Sequence, residues 1–157
     1  MKNNFQIDSL DRKILSVLTK NARAPFLEVA RACNVSGAAV HQRVKRLLRL
    51  GIISGSQFNV DPKKLGFKTC AFVGIFLDNA ALFNNVSEKL IRIPEITQCH
   101  YITGQWAMFV EVYTRDNEHL RVVLADKIQS IKGVSRTETF ISLDVLIDRQ
   151  MPFIEEE

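Results

Sequence analysis

Five side chains that can carry a positive charge fall within sixteen residues, in the stretch SGAAVHQRVKRLLRLG from Ser36 to Gly51. They are His41, Arg43, Lys45, Arg46 and Arg49. A solvated helix usually pairs such cations with acids four residues away, yet the chain has no Asp or Glu between Val35 and Val60. Cations without acidic neighbours suit a polyanion, and Arg and Gln side chains also hydrogen-bond to base edges of DNA. We therefore favour a DNA-binding helix over a merely solvated helical bundle.

The same stretch has the apolar period of a helix. Val40, Val44, Leu47 and Leu48 cover an arc of about 100°, which we predict faces the core. The remaining arc has small residues in its first turn, which allow a helix to approach the major groove closely. Further along it has Gln, Lys and Arg, which can reach base edges and phosphates. The predicted DNA contacts are Ser36, Gly37, Ala38, His41, Gln42, Arg43, Lys45, Arg46 and Arg49. Arg43 lies on the opposite flank, so it either holds a phosphate or pairs with an acid on the first helix.

The preceding residues supply the rest of a helix-turn-helix. Apolar residues at helical spacing follow Asp8, a candidate N-cap, and predict a first helix. Pro25 suits the first turn of a short second helix, and Asn34 tolerates turn geometry. Ser36 can accept a hydrogen bond from a backbone N–H at the start of the third helix. Beyond Gly51, the segment IISGSQFNVD predicts a short extended wing or a connector.

Charge is divided unevenly along the chain. Residues 1–66 hold twelve Lys and Arg against four Asp and Glu, a net charge of +8, whereas residues 67–157 hold nine against thirteen, a net charge of −4. This asymmetry indicates that the first part faces a polyanion and the second part has another task. No apolar run approaches the roughly 18 residues of a membrane span, and the first residues lack a secretory signal pattern. We expect a cytoplasmic protein that has no membrane partner.

The Cys and His residues form no catalytic or metal-binding pattern. Cys33, Cys70 and Cys99 contain no C-x-x-C pair, which favours free thiols over a zinc cluster. The three histidines show no metal-ligand spacing. Cys99 and His100 are neighbours in a predicted strand and point to opposite faces, which does not suit a nucleophile and its base. The sequence therefore predicts no enzyme, no catalytic residue, no metal and no cofactor.

After residue 67 the pattern alternates strands with helices. The segments CAFVGIFL, ITQCHYIT, WAMFVEVYT and VSRTETFISL predict four strands. Helical periods begin near Phe83 and Asn117, which gives the order βαββαβ. Two βαβ halves predict a ferredoxin-like domain, in which both helices cover one face of a four-stranded sheet. The other face, with candidates Phe72, Phe76 and Tyr113, would be apolar and exposed in a monomer, so we predict that it packs against another subunit.

Several motifs together resemble the leucine-responsive regulator/AsnC family of transcription factors. They are D-x-x-D-x-x-I-L from Asp8, S-x-x-x-V-x-x-R-V-x-R-L from Ser36, G-I-I at Gly51, T-G at Thr103, KIQSIKGV and TETFISL. The last two resemble the asparagine-responsive AsnC branch, and the resemblance covers residues 8–147. It implies an α+β fold: a winged helix-turn-helix at residues 1–53, a wing or connector at 54–67, and a βαββαβ ferredoxin-like effector-binding and oligomerisation domain at 68–157.

The resemblance also implies dimers that commonly assemble into octamers, with an amino-acid effector bound between dimers. The family's effector loop falls here on Thr103, Gly104, Gln105 and Trp106, and Gln129 and Ser130 of a neighbouring subunit would complete the site. A glycine turn exposes backbone N–H groups for a carboxylate, and a side-chain amide can bind a polar ligand. Many members carry an acid directly after the loop aromatic, where this chain has Ala107, so a contact from that carboxylate is absent.

These observations predict a sequence-specific DNA-binding regulator of amino-acid metabolism, modulated by a small amino acid. The alternative is an amino-acid-binding metabolic module whose basic helix binds DNA without sequence preference. A purely structural role also stays open for two loop residues: Trp106 as an interface aromatic and Gly104 as a hairpin turn.

Overall fold

A computed structural model describes residues 7–151, which form two compact units. The first unit comprises residues 7–59 together with 147–151, and the second comprises residues 60–146. Each unit encloses its own apolar cluster. No helix within residues 7–151 is long and apolar enough to cross a membrane.

Three helices with capped ends build the first unit. They are α1 Ser9–Leu18, α2 Phe26–Cys33 and α3 Gly37–Arg49. As predicted, the Asp8 side chain caps α1, and the Ser36 hydroxyl oxygen caps α3 by accepting the Ala39 N–H at 3.2 Å. Asn34 ends α2 in the left-handed region, with φ 56°, so three residues separate α2 from α3. This tight turn confirms the predicted helix-turn-helix.

The inward faces of the three helices meet in an apolar core. Its buried members are Ile14, Val29, Ala30, Val40 and Val44. Leu47 is also fully buried, but the prediction that Leu48 faces the core is wrong, because 48% of this residue is exposed. Consecutive helix residues point about 100° apart. The buried face is centred on Val40, so Leu48 falls at its margin.

Of the two forms predicted for the segment after α3, a short extended wing or a connector, the structure shows the connector. Gly51, at φ 70°, ends the helix as predicted, and the N–H of Ile52 donates to the Leu47 carbonyl at 3.0 Å. Residues 54–61 form no strand, so no hairpin follows α3 within the described chain. A wing needs two paired extended segments, whereas this stretch is interrupted by Gly55, with φ 151°, between two serines. The segment is therefore a connector.

A buried carboxylate joins α3 to α1. Asp11 has no exposed surface, and its two oxygens accept hydrogen bonds from Arg43 Nη1 at 3.2 Å and Arg46 Nη1 at 2.8 Å. Arg43 also bonds to Asp8. The two arginine side chains remain about one-third exposed, at 32% and 37%. Because a buried carboxylate without partners is costly, these bonds hold α3 in one orientation on α1.

The pairing also changes how two of these groups titrate. The hydrogen bond from Arg43 lowers the pKa of Asp8 below its ordinary value of 3.8, and the bonds to Asp8 and Asp11 raise the pKa of Arg43. A lowered carboxyl pKa means that folding favours the ionised form. The Asp8 contribution to stability is therefore complete above pH 3.8 and is lost as the pH falls through the folded-state pKa.

The second unit is a four-stranded sheet with helices on one face. Its strands and helices are, in chain order, β1 Thr69–Leu77, α4 Phe83–Leu90, β2 Ile96–Tyr101, β3 Met108–Thr114, α5 Asn117–Val122 and β4 Val134–Ile141. Two short 3-10 turns lie at Pro62–Leu65 and Ala80–Leu82. The helix α5 continues in π geometry over Val123–Gln129. The strand order is β2-β3-β1-β4, and every pair is antiparallel. This is the predicted βαββαβ ferredoxin-like arrangement.

The two faces of this sheet differ in what covers them. Alternate residues of β1 and β3, such as Val73 and Val110, are fully buried beneath Val86 of α4 and Leu120 of α5. The residues between them point to the opposite side, which we call the open face. Its aromatic residues are Phe72, Phe76, Phe109, Tyr113 and Phe140. They include the three predicted for an uncovered face.

Removing the Asp11 carboxylate should destabilise the first unit. Asp11→Ala leaves Arg43 and Arg46 without their shared acceptor, and we expect the free energy of unfolding to fall by about 2 kcal/mol. Urea unfolding followed by circular dichroism measures the change. Glu28→Ala removes an exposed acid from α2 and is the control, with an expected change below about 0.5 kcal/mol. Equal values for the two variants would contradict the role given to Asp11.

The open face predicts self-association. Phe72 and Phe109 stack there with ring centroids 5.7 Å apart, and Phe140 beside them is 49% exposed. We expect light scattering at micromolar concentration to find at least a dimer, and Phe140→Glu to shift the population towards the 17.9 kDa monomer. Ile91→Glu, at an exposed apolar residue that follows α4, is the matched control and should leave the dimer intact. A monodisperse monomer for the unaltered chain would reject this prediction.

Candidate DNA-binding helix and ligand hollow

The outward face of α3 carries most of the predicted DNA contacts. Its exposed members are Ser36, Ala38, His41, Gln42, Lys45 and Arg49. Gly37 leaves open space, since a β-carbon there would meet no atom within 4 Å. The His41 ring meets the Phe26 ring edge to face, with centroids 5.9 Å apart. The first turn therefore presents small side chains, and the following turns present an amide and two cations.

The structure separates the predicted arginines into two groups. Arg49 is exposed on α3, whereas Arg43 and Arg46 are half-buried and bond to Asp11. For Arg43, pairing with acids on the first helix is the alternative observed. Arg46 was expected on the outward arc alone, and the contribution of Asp11 to its position was not predicted. The sequence did contain one signal for this contact, which is the spacing of Asp8 and Asp11. Residues three apart share one face of a helix, so the two acids could meet a basic helix together.

The loop between β2 and β3 lines a hollow of about 560 Å³. The four predicted loop residues, Thr103, Gly104, Gln105 and Trp106, all line it. The remaining wall consists of Phe76, Leu77, Ala80, Tyr101, Ile102 and Ala107. None of the lining residues is an acid or a base. Gly104 has φ 120°, and a β-carbon there would meet no atom within 4 Å. The hollow therefore offers a small molecule neutral walls and an open glycine turn.

Gln129 and Ser130 do not line this hollow. In the single chain, Gln129 Nε2 donates to Oγ1 of Thr137 at 2.8 Å, and the Ser130 hydroxyl donates to the carbonyl of Asp126 at 2.6 Å. Both residues are exposed. The fold of one chain does not unite them with the loop, so their predicted contact with a ligand requires a second subunit.

The Trp106 side chain extends from the hollow onto the open face. Its Nε1–H donates to Oε2 of Glu138 at 2.9 Å, and its ring stacks on Phe109 with centroids 5.3 Å apart. A β-carbon on Gly74 would lie 2.6 Å from the indole. The contacts of Gly74 and Glu138 with Trp106 were not predicted from the sequence, because no local pattern indicates them. Their contact with Trp106 depends on the register that puts Gly74 opposite Glu138.

A second hollow, of about 470 Å³, lies beside the first 3-10 turn. Its acids are bonded to neighbouring side chains: Thr97 donates to Glu111 at 2.7 Å, and His119 and the nearby Lys127 approach one Glu95 oxygen at 3.3 and 2.6 Å. Burial raises the pKa of Glu95, but hydrogen bonding to Lys127 contributes most to a net lowering. The other Glu95 oxygen is buried, with no hydrogen-bond partner in the described residues. The acids of this hollow are therefore already engaged or inaccessible, whereas the four predicted loop residues all line the other hollow, which makes the loop hollow the better candidate ligand site.

Comparison with known proteins matches both units. The model for the AsnC-type helix-turn-helix domain matches residues 7–48, and the model for the Lrp/AsnC ligand binding domain matches residues 70–152. The regulatory protein AsnC of Haemophilus influenzae is 43% identical over 137 residues, covering 87% of this chain and 91% of that protein. The HTH-type transcriptional regulator FL11 of Pyrococcus furiosus is 34% identical over 139 residues, covering 88% and 91%.

The solved structure of AsnC from E. coli superposes with a TM-score of 0.89 at 38% identity, covering 94% of this chain and 99% of that one. These relatives are named as regulatory proteins and not as enzymes. With a helix-turn-helix in the first unit and a ligand-binding domain in the second, the chain belongs to the Lrp/AsnC family of transcription regulators.

Proposed function

We propose that this regulator binds DNA sequence-specifically through α3, acts on genes of amino-acid metabolism in the cytoplasm, and is controlled by a small amino acid bound in the loop hollow. The observation that carries the proposal is the outward face of α3. It presents Gln42, Lys45 and Arg49 to solvent while Asp11 holds the same helix from behind. A rigid helix with an exposed amide and exposed cations suits a reader of the major groove.

Each part of α3 has a separate task in this proposal. Gly37 and Ala38 in the first turn allow close approach to the base pairs, and the Ser36 hydroxyl is held by the capping bond that it accepts from the Ala39 N–H. Gln42 donates and accepts hydrogen bonds, which suits an adenine edge. Lys45 and Arg49 neutralise phosphates, and the exposed portions of Arg43 and Arg46 extend that positive surface. His41 flanks this surface at the Phe26 ring.

Assembly would supply a second copy of α3. A dimer formed through the open face would present two such helices to successive half-sites, which in dimeric helix-turn-helix proteins lie about 34 Å or one DNA turn apart. The family resemblance extends this assembly to an octamer. Double-stranded DNA, a small amino acid and further copies of the chain are therefore the proposed partners.

The ligand proposal rests on the chemistry of the loop hollow. Gly104 exposes its turn to the cavity and supplies backbone N–H for an α-carboxylate, and Thr103 and Gln105 provide polar groups beside it. Gln129 and Ser130 of a second subunit would complete the site. Because no lining residue is charged, Ala107 included, the hollow suits a neutral amino acid, with asparagine or glutamine ahead of lysine or arginine.

The alternative function is an amino-acid-binding metabolic module that binds DNA only non-specifically. The exposed Lys45 and Arg49 would serve it equally well, because phosphate contacts carry no sequence information. Gln42 separates the two functions, since its neutral amide adds little to a purely electrostatic contact. A specific regulator binds its site at least about a thousandfold more tightly than random DNA.

Substitutions on α3 should separate base contacts from phosphate contacts. On a site selected from random duplexes, Gln42→Ala should reduce discrimination against random DNA by about 1–3 kcal/mol. Lys45→Ala and Arg49→Ala should weaken binding to both DNAs and reduce the log–log salt slope by about one unit each. Fluorescence anisotropy across a salt series measures these constants.

Lys89→Ala is the control for this series, because it removes one exposed cation from the second unit. It should leave the slope unchanged. If all three α3 variants behave like Lys89→Ala, α3 is not the DNA-binding helix, and an unaltered chain without site preference would favour the alternative function.

Ligand binding should depend on Gly104. Isothermal titration should find binding of asparagine or glutamine to the unaltered chain, and Gly104→Val should abolish it, because a branched side chain would occupy the hollow. Gly66→Val is the matched control: Gly66 also has a positive φ, 91°, and open space, but it does not line the hollow. Both variants should retain DNA binding. Absence of binding by any amino acid at millimolar concentration would reject the ligand proposal.

A further inference from the structure

Trp106 belongs to two surfaces at once. It lines the loop hollow, and its ring also packs among the aromatic residues of the open face, stacked on Phe109 at 5.3 Å and edge-on to Phe140 at 5.8 Å. It is the only tryptophan in the chain. Any movement of its ring would therefore alter the wall of the hollow and the surface proposed to pack against another subunit.

Strand register explains why the ring lies where it does. Gly74 of β1 is opposite Phe109 of β3 on one side and opposite Glu138 of β4 on the other, so the three residues form one row across the sheet. Gly74 has no side chain, which leaves a shallow seat between its neighbours. A β-carbon at Gly74 would lie 2.6 to 2.7 Å from three atoms of the indole, closer than a real contact allows. Glycine is required for the ring to lie on the strand.

Glu138 fixes the orientation of the ring in this seat. Its Oε2 accepts the indole N–H at 2.9 Å, and its Oε1 accepts a hydrogen bond from Arg136 at 3.3 Å. The Arg136 guanidinium lies over the Phe76 ring, 3.7 Å from its centroid, and Phe76 lines the same hollow as Trp106. These contacts link the hollow through Phe76, Arg136 and Glu138 back to Trp106.

We propose that Gly74 and Glu138 are positioning residues for the effector loop, which hold Trp106 on the open face and so set both the shape of the ligand hollow and its coupling to subunit packing. This inference rests on the proposed ligand function. If packing of the open face also favours one position of the ring, ligand binding and assembly are coupled, and each changes the equilibrium constant of the other by the same factor.

The fluorescence of Trp106 tests the positioning without any ligand. Acrylamide should quench the unaltered chain weakly, and it should quench Gly74→Ala and Glu138→Ala at least about twofold more strongly, since the ring leaves its seat. Glu138→Gln keeps an oxygen acceptor for the indole N–H and should behave nearly as the unaltered chain. Glu111→Gln is the control, because Glu111 lies on β3 and bonds to Thr97, away from Trp106. Far-UV circular dichroism verifies that each variant is folded.

Titration of the same variants with asparagine tests whether the position of Trp106 affects ligand binding. We expect about tenfold weaker binding for Gly74→Ala and Glu138→Ala, and unchanged binding for Glu138→Gln and Glu111→Gln. Unaltered quenching in Gly74→Ala and Glu138→Ala would overturn the inference. The inference would also be overturned if these two variants showed stronger quenching, and so a displaced ring, but kept full affinity for asparagine. The proposed function would survive that result. Lack of asparagine binding by the unaltered chain would instead reject the proposed ligand, whatever the quenching shows.

Discussion

The buried carboxylate of Asp11 determines how the first unit presents its charge. A carboxylate with no exposed surface is tolerated only when its oxygens are hydrogen-bonded, and here Arg43 and Arg46 supply both bonds. Two half-buried arginines about one turn apart on α3 are thereby tied to α1. The helix cannot rotate without breaking a charged contact, so the side chains that remain on its outer face, Gln42 and Lys45 among them, keep a fixed orientation. Specific recognition of base edges depends on such orientation, whereas attraction to phosphate does not.

In the second unit, the two faces of the sheet differ in what covers them. Both helices cover one face, and the opposite face retains stacked aromatic rings at Phe72 and Phe109. The loop residue Trp106 reaches onto this open face. The loop proposed to bind a ligand and the surface predicted to self-associate thus share one side chain. For the proposed function, that arrangement would give a physical route from a small molecule to a change in assembly.

Local patterns predicted those features that depend on local physics. Apolar spacing located the buried Val40 and Val44, and capping chemistry located Ser36. The error at Leu48 has a physical cause, because this residue lies at the margin of the buried arc. The sequence alone leaves the segment after α3 open between a wing and a connector, and it is a connector because residues 54–61 form no paired strand. The row that joins Gly74 to Glu138 could not be predicted, because it arises from the register of strands more than sixty residues apart in the chain. Likewise, the bond between Arg46 and Asp11 requires the packing angle of two helices.

We propose that α3, held by Asp11, enters the major groove of DNA. Dimethyl sulphate footprinting on a site selected from random duplexes tests it most directly, because the reagent methylates guanine N7 in the major groove and adenine N3 in the minor groove. We expect the protein to protect guanine N7 in two half-sites about one helical turn apart, because a helix that lies in the major groove blocks the reagent there. Protection confined to adenine N3, or no base-specific protection on any selected site, would contradict it.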